Sequence, residues 1–174
     1  MINFKIVSHV LGLLLVINGL LMLVGLPFSL YHDNHDVVPI LTASGLTIFS
    51  GWITYWLTRQ SDYTRLGRRE GYLIVSLGWV FMSFFGALPF TFSGAIPSYT
   101  DAFFETMSGY TTTGASILNN IEELPHGILL WRSMTHWIGG MGIIVLSLAI
   151  FPILTKSIPE SKKQRSGCGS STFC

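Results

Sequence analysis

The sequence predicts an all-α integral membrane protein: two N-terminal transmembrane helices, then a unit of helix, short helix with loop, and helix. Three observations carry that prediction. Of 174 residues, 49% are hydrophobic and 11% charged, with mean hydropathy +0.53, whereas soluble domains carry about 25% charged residues. The charges are also segregated. Leu11–Tyr31, Val37–Thr58, Gly71–Thr100 and Ser133–Thr155 contain no Asp, Glu, Lys or Arg, and about 20 such residues cross the hydrocarbon as a helix. Finally, the segment before the last run, Ser93–Gly127, lacks Lys and Arg yet is rich in aromatic and aliphatic side chains. It is too apolar for a solvated loop.

The elements follow in order. The first span is Ile6–Pro27, in which Lys5 and an apolar run resemble a secretory signal. That run is longer than a signal core of about 7–15 residues and lacks a small-x-small cleavage site, so it is expected to stay as a helix. The second span is Val37–Leu57, and residues 1–58 form the N-terminal pair. A cytoplasmic loop, 59–70, leads into the second unit, 71–155, with spans Gly71–Phe92 and Ile128–Leu154. Residues 156–174 read as a polar, disordered cytoplasmic tail holding both cysteines, Cys168 and Cys174, with no ligand or disulfide spacing.

Orientation comes from the basic residues. Lys5, the four arginines of 59–70, Lys156, Lys162, Lys163 and Arg165 lie on one side, and Arg132 alone lies near the other. Both termini are therefore expected in the cytoplasm. Asp33, Asp36, Asp101, Glu105, Glu122 and Glu123 lie outside. Either this is the default complement of a positive inside, or an anionic vestibule concentrates cations.

The outer segment carries the chemistry. Pro97–Thr100 offers a helix start, Asp101 complements the positive N-terminal dipole, and Gly109 offers a stop. A helix of ten or so residues within Ser98–Gly109 rises only about 15 Å, so it dips in without crossing a core of about 30 Å. The stretch after it, YTTTGAS, is poor helix and has no charge. Non-helical backbone at membrane depth is tolerated only when buried in protein or lining a watery cavity. Carbonyls there lack donors and suit dehydrated cations, as in potassium filters. Thr111, Thr112 and Thr113 supply carbonyls and hydroxyls, and Gly114 permits the dihedrals that turn a carbonyl toward an axis. The reading is an ion-selectivity loop in a potassium-channel-like architecture. The competing reading is an apolar outer loop lying on the bilayer.

DAFFETMSGYTTTGAS and LPHGILLWRSMTHWIGGMGIIVLSLAIFPIL, with REGYLIV and GALPF ahead of them, closely resemble the potassium-uptake subunit of bacterial Trk systems, within the Trk/Ktr/HKT superfamily. The resemblance covers Met1 to about Leu154. It implies one chain with four helix–pore loop–helix repeats around a pore, of which the N-terminal portion is present here. Thr111, Thr112, Thr113 and Gly114 then form the filter, with potassium held chiefly at Thr112 and Thr113 as the transported ligand. Potassium transport in a bacterial inner membrane is implied, with no cofactor. A cytoplasmic nucleotide-binding regulatory subunit is an implied partner; nucleic acid is not. The tail TKSIPESKKQRSGCGSSTFC is expected to match no family segment. A single repeat cannot enclose a pore, so other repeats or self-association must complete it. The alternative is a non-conducting membrane scaffold.

Other residues have plainer readings. Arg132 is expected to snorkel or to pair with Glu105, Glu122 or Glu123, anchoring its helix beside the loop. Gly139 and Gly140 are expected to let that helix approach the pore helix closely. His136 suggests a helix–helix hydrogen bond. His32, Asp33, His35 and Asp36 have metal-ligand chemistry, but a polar turn between spans explains them. No serine or histidine stands in a nucleophile or acid–base setting, so no enzymatic activity is expected.

Overall fold

The computed structural model describes residues 4–32, 36–59, 68–118, 121 and 124–157. Every regular element among them is helical: α1 (Phe4–Met22), α2 (Leu26–His32), α3 (Val37–Leu57), α4 (Arg68–Gly86), α5 (Leu88–Phe92), α6 (Tyr99–Tyr110) and α7 (His126–Ser157). The chain divides into two units, Met1–Met141 and Gly142–Cys174. The first holds α1 to α6, the outer segment and the start of α7.

A 3-10 turn, Leu23–Gly25, joins α1 to α2. Its cause is Pro27, which has no N–H to return to the Leu23 carbonyl. The Leu26 N–H takes that carbonyl instead, an i→i−3 bond that tightens the turn. Together these elements form one candidate span, Phe4–Tyr31; α3 is a second, and Glu70–Phe92 a third. α7 has 32 helical residues, more than the about 20 that a crossing needs, although side chains beyond Ile144 lie outside the described residues. The tail from residue 158, both cysteines, and Asp33, Asn34 and His35 lie outside them too.

α1 and α3 pack with their backbones nearly touching. A Cβ on Gly12 would sit 2.9 Å from the Gly51 carbonyl oxygen, and one on Gly51 would sit 2.8 Å from that of Gly12. Two turns further along α1, a Cβ on Gly19 would sit 2.6 Å from Ile48 Cγ1. Small residues are what permit such approach in a bilayer, where dispersion contacts replace the hydrophobic effect between helices. Six hydroxyls on α3 and its C-cap (Thr42, Ser44, Thr47, Ser50, Thr54 and Thr58) donate to carbonyls three or four residues back. None of them then presents an unpaired donor to hydrocarbon.

The core lies where these helices meet the repeat. Met22 of α1, Ile40 of α3, Ala87 and Phe90 at the α4–α5 junction, Ile96, Ala102 of α6, and Ile128 and Trp131 of α7 are all buried together. Trp131 donates its indole N–H to the Gly86 carbonyl at 3.0 Å. A Cβ on Gly86 would lie 2.7 Å from Thr106 Cγ2, so α4 can lean directly on α6.

The boundaries need small corrections. The short helix runs Tyr99–Tyr110, with Ser98 as its extended N-cap residue, rather than Ser98–Gly109. Gly109 does not stop it, because the residue that turns left-handed comes later, at Thr112. Arg68–Glu70 begin α4 instead of belonging to the loop at 59–70.

Candidate functional site

α6 is 12 residues long, about 18 Å, and ends with the negative pole of its dipole beside the threonine run. Its C-terminus closes as a Schellman motif. Thr112 N–H donates to Gly109 O and Thr113 N–H to Ser108 O, each at 3.0 Å, with Thr112 left-handed at φ +54°. Glycine is usual there. A β-branched residue in this region is a strained outlier, and such outliers cluster at functional sites. Gly114 follows with φ +76°, so the backbone reverses its hand twice within three residues.

The strap beyond α6 is held at both ends. At its near end, Thr111 Oγ1 donates to Met107 O at 2.8 Å, and the Thr111 and Thr113 hydroxyls pair at 2.8 Å. Ser108 Oγ donates to Ala115 O at 2.6 Å, folding the loop back on the helix that launched it. At its far end the Glu105 carboxylate accepts three bonds: Ser116 Oγ at 3.1 Å, Ile117 N–H at 3.0 Å and Arg132 Nε at 2.7 Å. The Glu105 side chain is 1% exposed and that of Arg132 17%. A buried carboxylate so fully paired is a fixed joint between α6, the strap and α7.

Between those joints, the carbonyls of Thr111, Thr112, Thr113 and Gly114 accept no hydrogen bond from the described residues. Thr112, Thr113, Gly114 and Ala115 are exposed along this edge. The loop thus offers consecutive unpaired acceptors and no cationic side chain, the donor set of a hard monovalent cation. Among the described residues no His, Cys, Asp and Glu cluster suits a divalent metal.

α7 supports the strap from behind. A Cβ on Gly139 would overlap the Tyr110 carbonyl oxygen and lie 2.8 Å from Tyr110 Cα. A Cβ on Gly109 would likewise overlap Thr135 Oγ1, while one on Gly140 would just reach Thr112 Cγ2 at 4.0 Å. Of the residues singled out from the sequence, Glu105, Gly109, Arg132, Gly139 and Gly140 all surround the loop. Asp101 does not. It sits in the first turn of α6, about 15 Å of helix from Thr111. Arg132 pairs with Glu105, and Glu122 and Glu123 lie outside the described residues. His136 makes no hydrogen bond among the described residues; its ring edge packs beside Gly109 instead.

Two residues escaped the sequence reading. Tyr110, fully buried, donates its phenol O–H to Asn18 Oδ1 of α1 at 2.6 Å, and Asn18 reaches the Met82 carbonyl of α4 at 3.5 Å. The available signal was the lone asparagine in an uncharged span, since an unpartnered amide at that depth is costly.

Residues 40–170 match the family model described as TrkH, cation transport protein. That match reaches into the segment read from the sequence as an unrelated tail. The Trk system potassium uptake protein TrkH of Salmonella typhimurium is 43% identical over 154 residues, 87% of this chain and 32% of that protein. An uncharacterized cation transporter of Methanocaldococcus jannaschii is 35% identical over 144 residues, 83% of this chain and 30% of its own length. The crystal structure of the potassium transporter TrkH from Vibrio parahaemolyticus superposes with TM-score 0.81 at 37% identity, covering 88% of this chain and 33% of that one. The chain spans about a third of the length of these relatives.

Proposed function

Because the chain belongs to the TrkH family of cation transport proteins, we propose that its first repeat forms one wall of a potassium-conducting path. These are membrane transporters, and an enzymatic activity has no place in the reading. The carbonyls of Thr111, Thr112, Thr113 and Gly114 replace part of the hydration shell of the ion. The observation that carries this is the run of acceptors without donors, held at its ends by the Ser108–Ala115 bond and by the bonds of Glu105 to Ile117 and Arg132. A strap exposed along one edge encloses nothing by itself. The remaining walls come from further repeats, on the same polypeptide or on another.

The charge asymmetry supports a bacterial inner-membrane protein with both termini cytoplasmic. The resemblance extends the proposal to a cytoplasmic nucleotide-binding regulatory subunit, but only for the assembled transporter. A second reading, a non-conducting scaffold, draws on the exposed edge of the strap, which encloses nothing by itself. Potassium-dependent growth of an uptake-deficient bacterium separates the two. Rescue by this chain that Gly114→Arg abolishes supports conduction, alone or with host repeats. No rescue, with the protein confirmed in the membrane, supports the scaffold.

A further inference from the structure

The helix that feeds the filter ends in a residue whose side chain points away from it. Tyr110 is the last residue of α6, and its carbonyl precedes the first filter threonine. Its backbone is pressed on one side by Gly139 of α7. Its ring is fully buried, lies 6.3 Å from Trp79 of α4 between centroids, and ends in the 2.6 Å hydrogen bond to Asn18. Asn18 is itself 0% exposed. It belongs to α1, a helix outside the repeat, 92 residues away along the chain. With the phenol fixed at one end and the Cα at the other, Tyr110 cannot roll about the helix axis. Any such roll would carry the Thr111–Gly114 carbonyls with it, because the strap is rigidly closed onto Ser108 and Gly109.

We propose that Asn18 is a positioning residue for the filter, acting through the Tyr110 phenol to set the orientation of the carbonyls after it. Asn18 of α1 is then part of the selectivity apparatus, although its helix lies outside the repeat. The proposal deepens the potassium-conducting reading and, in its functional arm, rests on it. A misplacement of ligands by a fraction of an ångström alters discrimination between ions while leaving the fold intact.

Two readouts test it, one independent of transport. Amide hydrogen exchange of Thr112 and Thr113 in nanodiscs reports whether the strap is held. Potassium-over-sodium uptake is read with this chain grafted in place of the matching third of the Vibrio parahaemolyticus potassium transporter. Tyr110→Phe and Asn18→Leu should each speed that exchange by about five-fold or more, the factor that one net hydrogen bond represents. Each should also lower the ion ratio, and the double variant should do no more than either alone. Leu15→Ala, a buried change on the same helix, should lower thermal stability and leave both readouts alone. Unchanged exchange in Tyr110→Phe and Asn18→Leu, or an equal response to Leu15→Ala, overturns the proposal. If the unmodified graft carries no potassium, the conducting reading fails by itself, and the exchange comparison still decides the coupling.

Discussion

Glycines set against neighbouring backbone build both the α1–α3 pair and the α6–strap–α7 site, but what surrounds those glycines differs. In the pair, Gly12 and Gly51 face each other's carbonyls, the hydroxyls turn back on their own helix, and the contact is dry packing. In the site, Gly139 makes room for the Tyr110 backbone, and polar groups bond across elements: Glu105 to Arg132, Ser116 and Ile117, and Ser108 to Ala115. Apart from the 3.2 Å bond between His9 of α1 and Thr58 at the end of α3, the hydroxyls of the pair are satisfied locally, whereas the site uses its polar groups to hold a loop. Close approach alone makes a scaffold; close approach with cross-element bonds holds a strap whose Thr111–Gly114 carbonyls accept no hydrogen bond from the described residues.

The comparison breaks most sharply at Glu105. Glu105→Ala leaves Arg132 and the Ile117 N–H without their acceptor, at a cost of about 3–5 kcal/mol for a broken buried pair. A large fall in thermal stability in detergent, together with lost uptake in the graft, is the expected result. Gly139→Ala and Gly12→Ala form the next test. Both overpack backbone, at about 1–3 kcal/mol each, and unfolding midpoints should fall in both. Only Gly139→Ala should also change the potassium-over-sodium ratio. Gly114→Ala is gentler, since its Cβ would meet open space. The left-handed φ alone is at stake, about 1–2 kcal/mol, and uptake should slow with little change in expression. Thr113→Val removes the 2.8 Å hydroxyl pair with Thr111, about 0.5–1.5 kcal/mol. It should shift apparent potassium affinity modestly while maximal uptake stays close to the parent.

Much of this was readable in the sequence, for physical reasons. Uncharged runs must be helices in a bilayer, and α3 runs Val37–Leu57 as the run Val37–Thr58 implied. A short apolar segment bracketed by Pro97 and Gly109 is too short to cross, and α6 forms within one residue of the expected bounds. For Arg132 the sequence left snorkelling or a pair with Glu105, Glu122 or Glu123 open, and the structure pairs it with Glu105. What the sequence could not reveal were matters of handedness and distance. The left-handed residue that ends α6 is a threonine, and propensity argues for glycine. The Asn18–Tyr110 bond joins residues 92 positions apart, which no local pattern reports. His136 looked like a helix bridge, yet among the described residues it makes no hydrogen bond, and a Cβ on Gly109 would lie 3.8 Å from its ring.

The measurement that tests the central claim most directly is potassium uptake into proteoliposomes by the graft, comparing the parent with Gly114→Arg. Saturable uptake, selective for potassium over sodium, is expected in the parent, and none in Gly114→Arg despite equal incorporation. Equal uptake by both would contradict a filter at Thr111–Gly114, because the ion would then pass without using this strap.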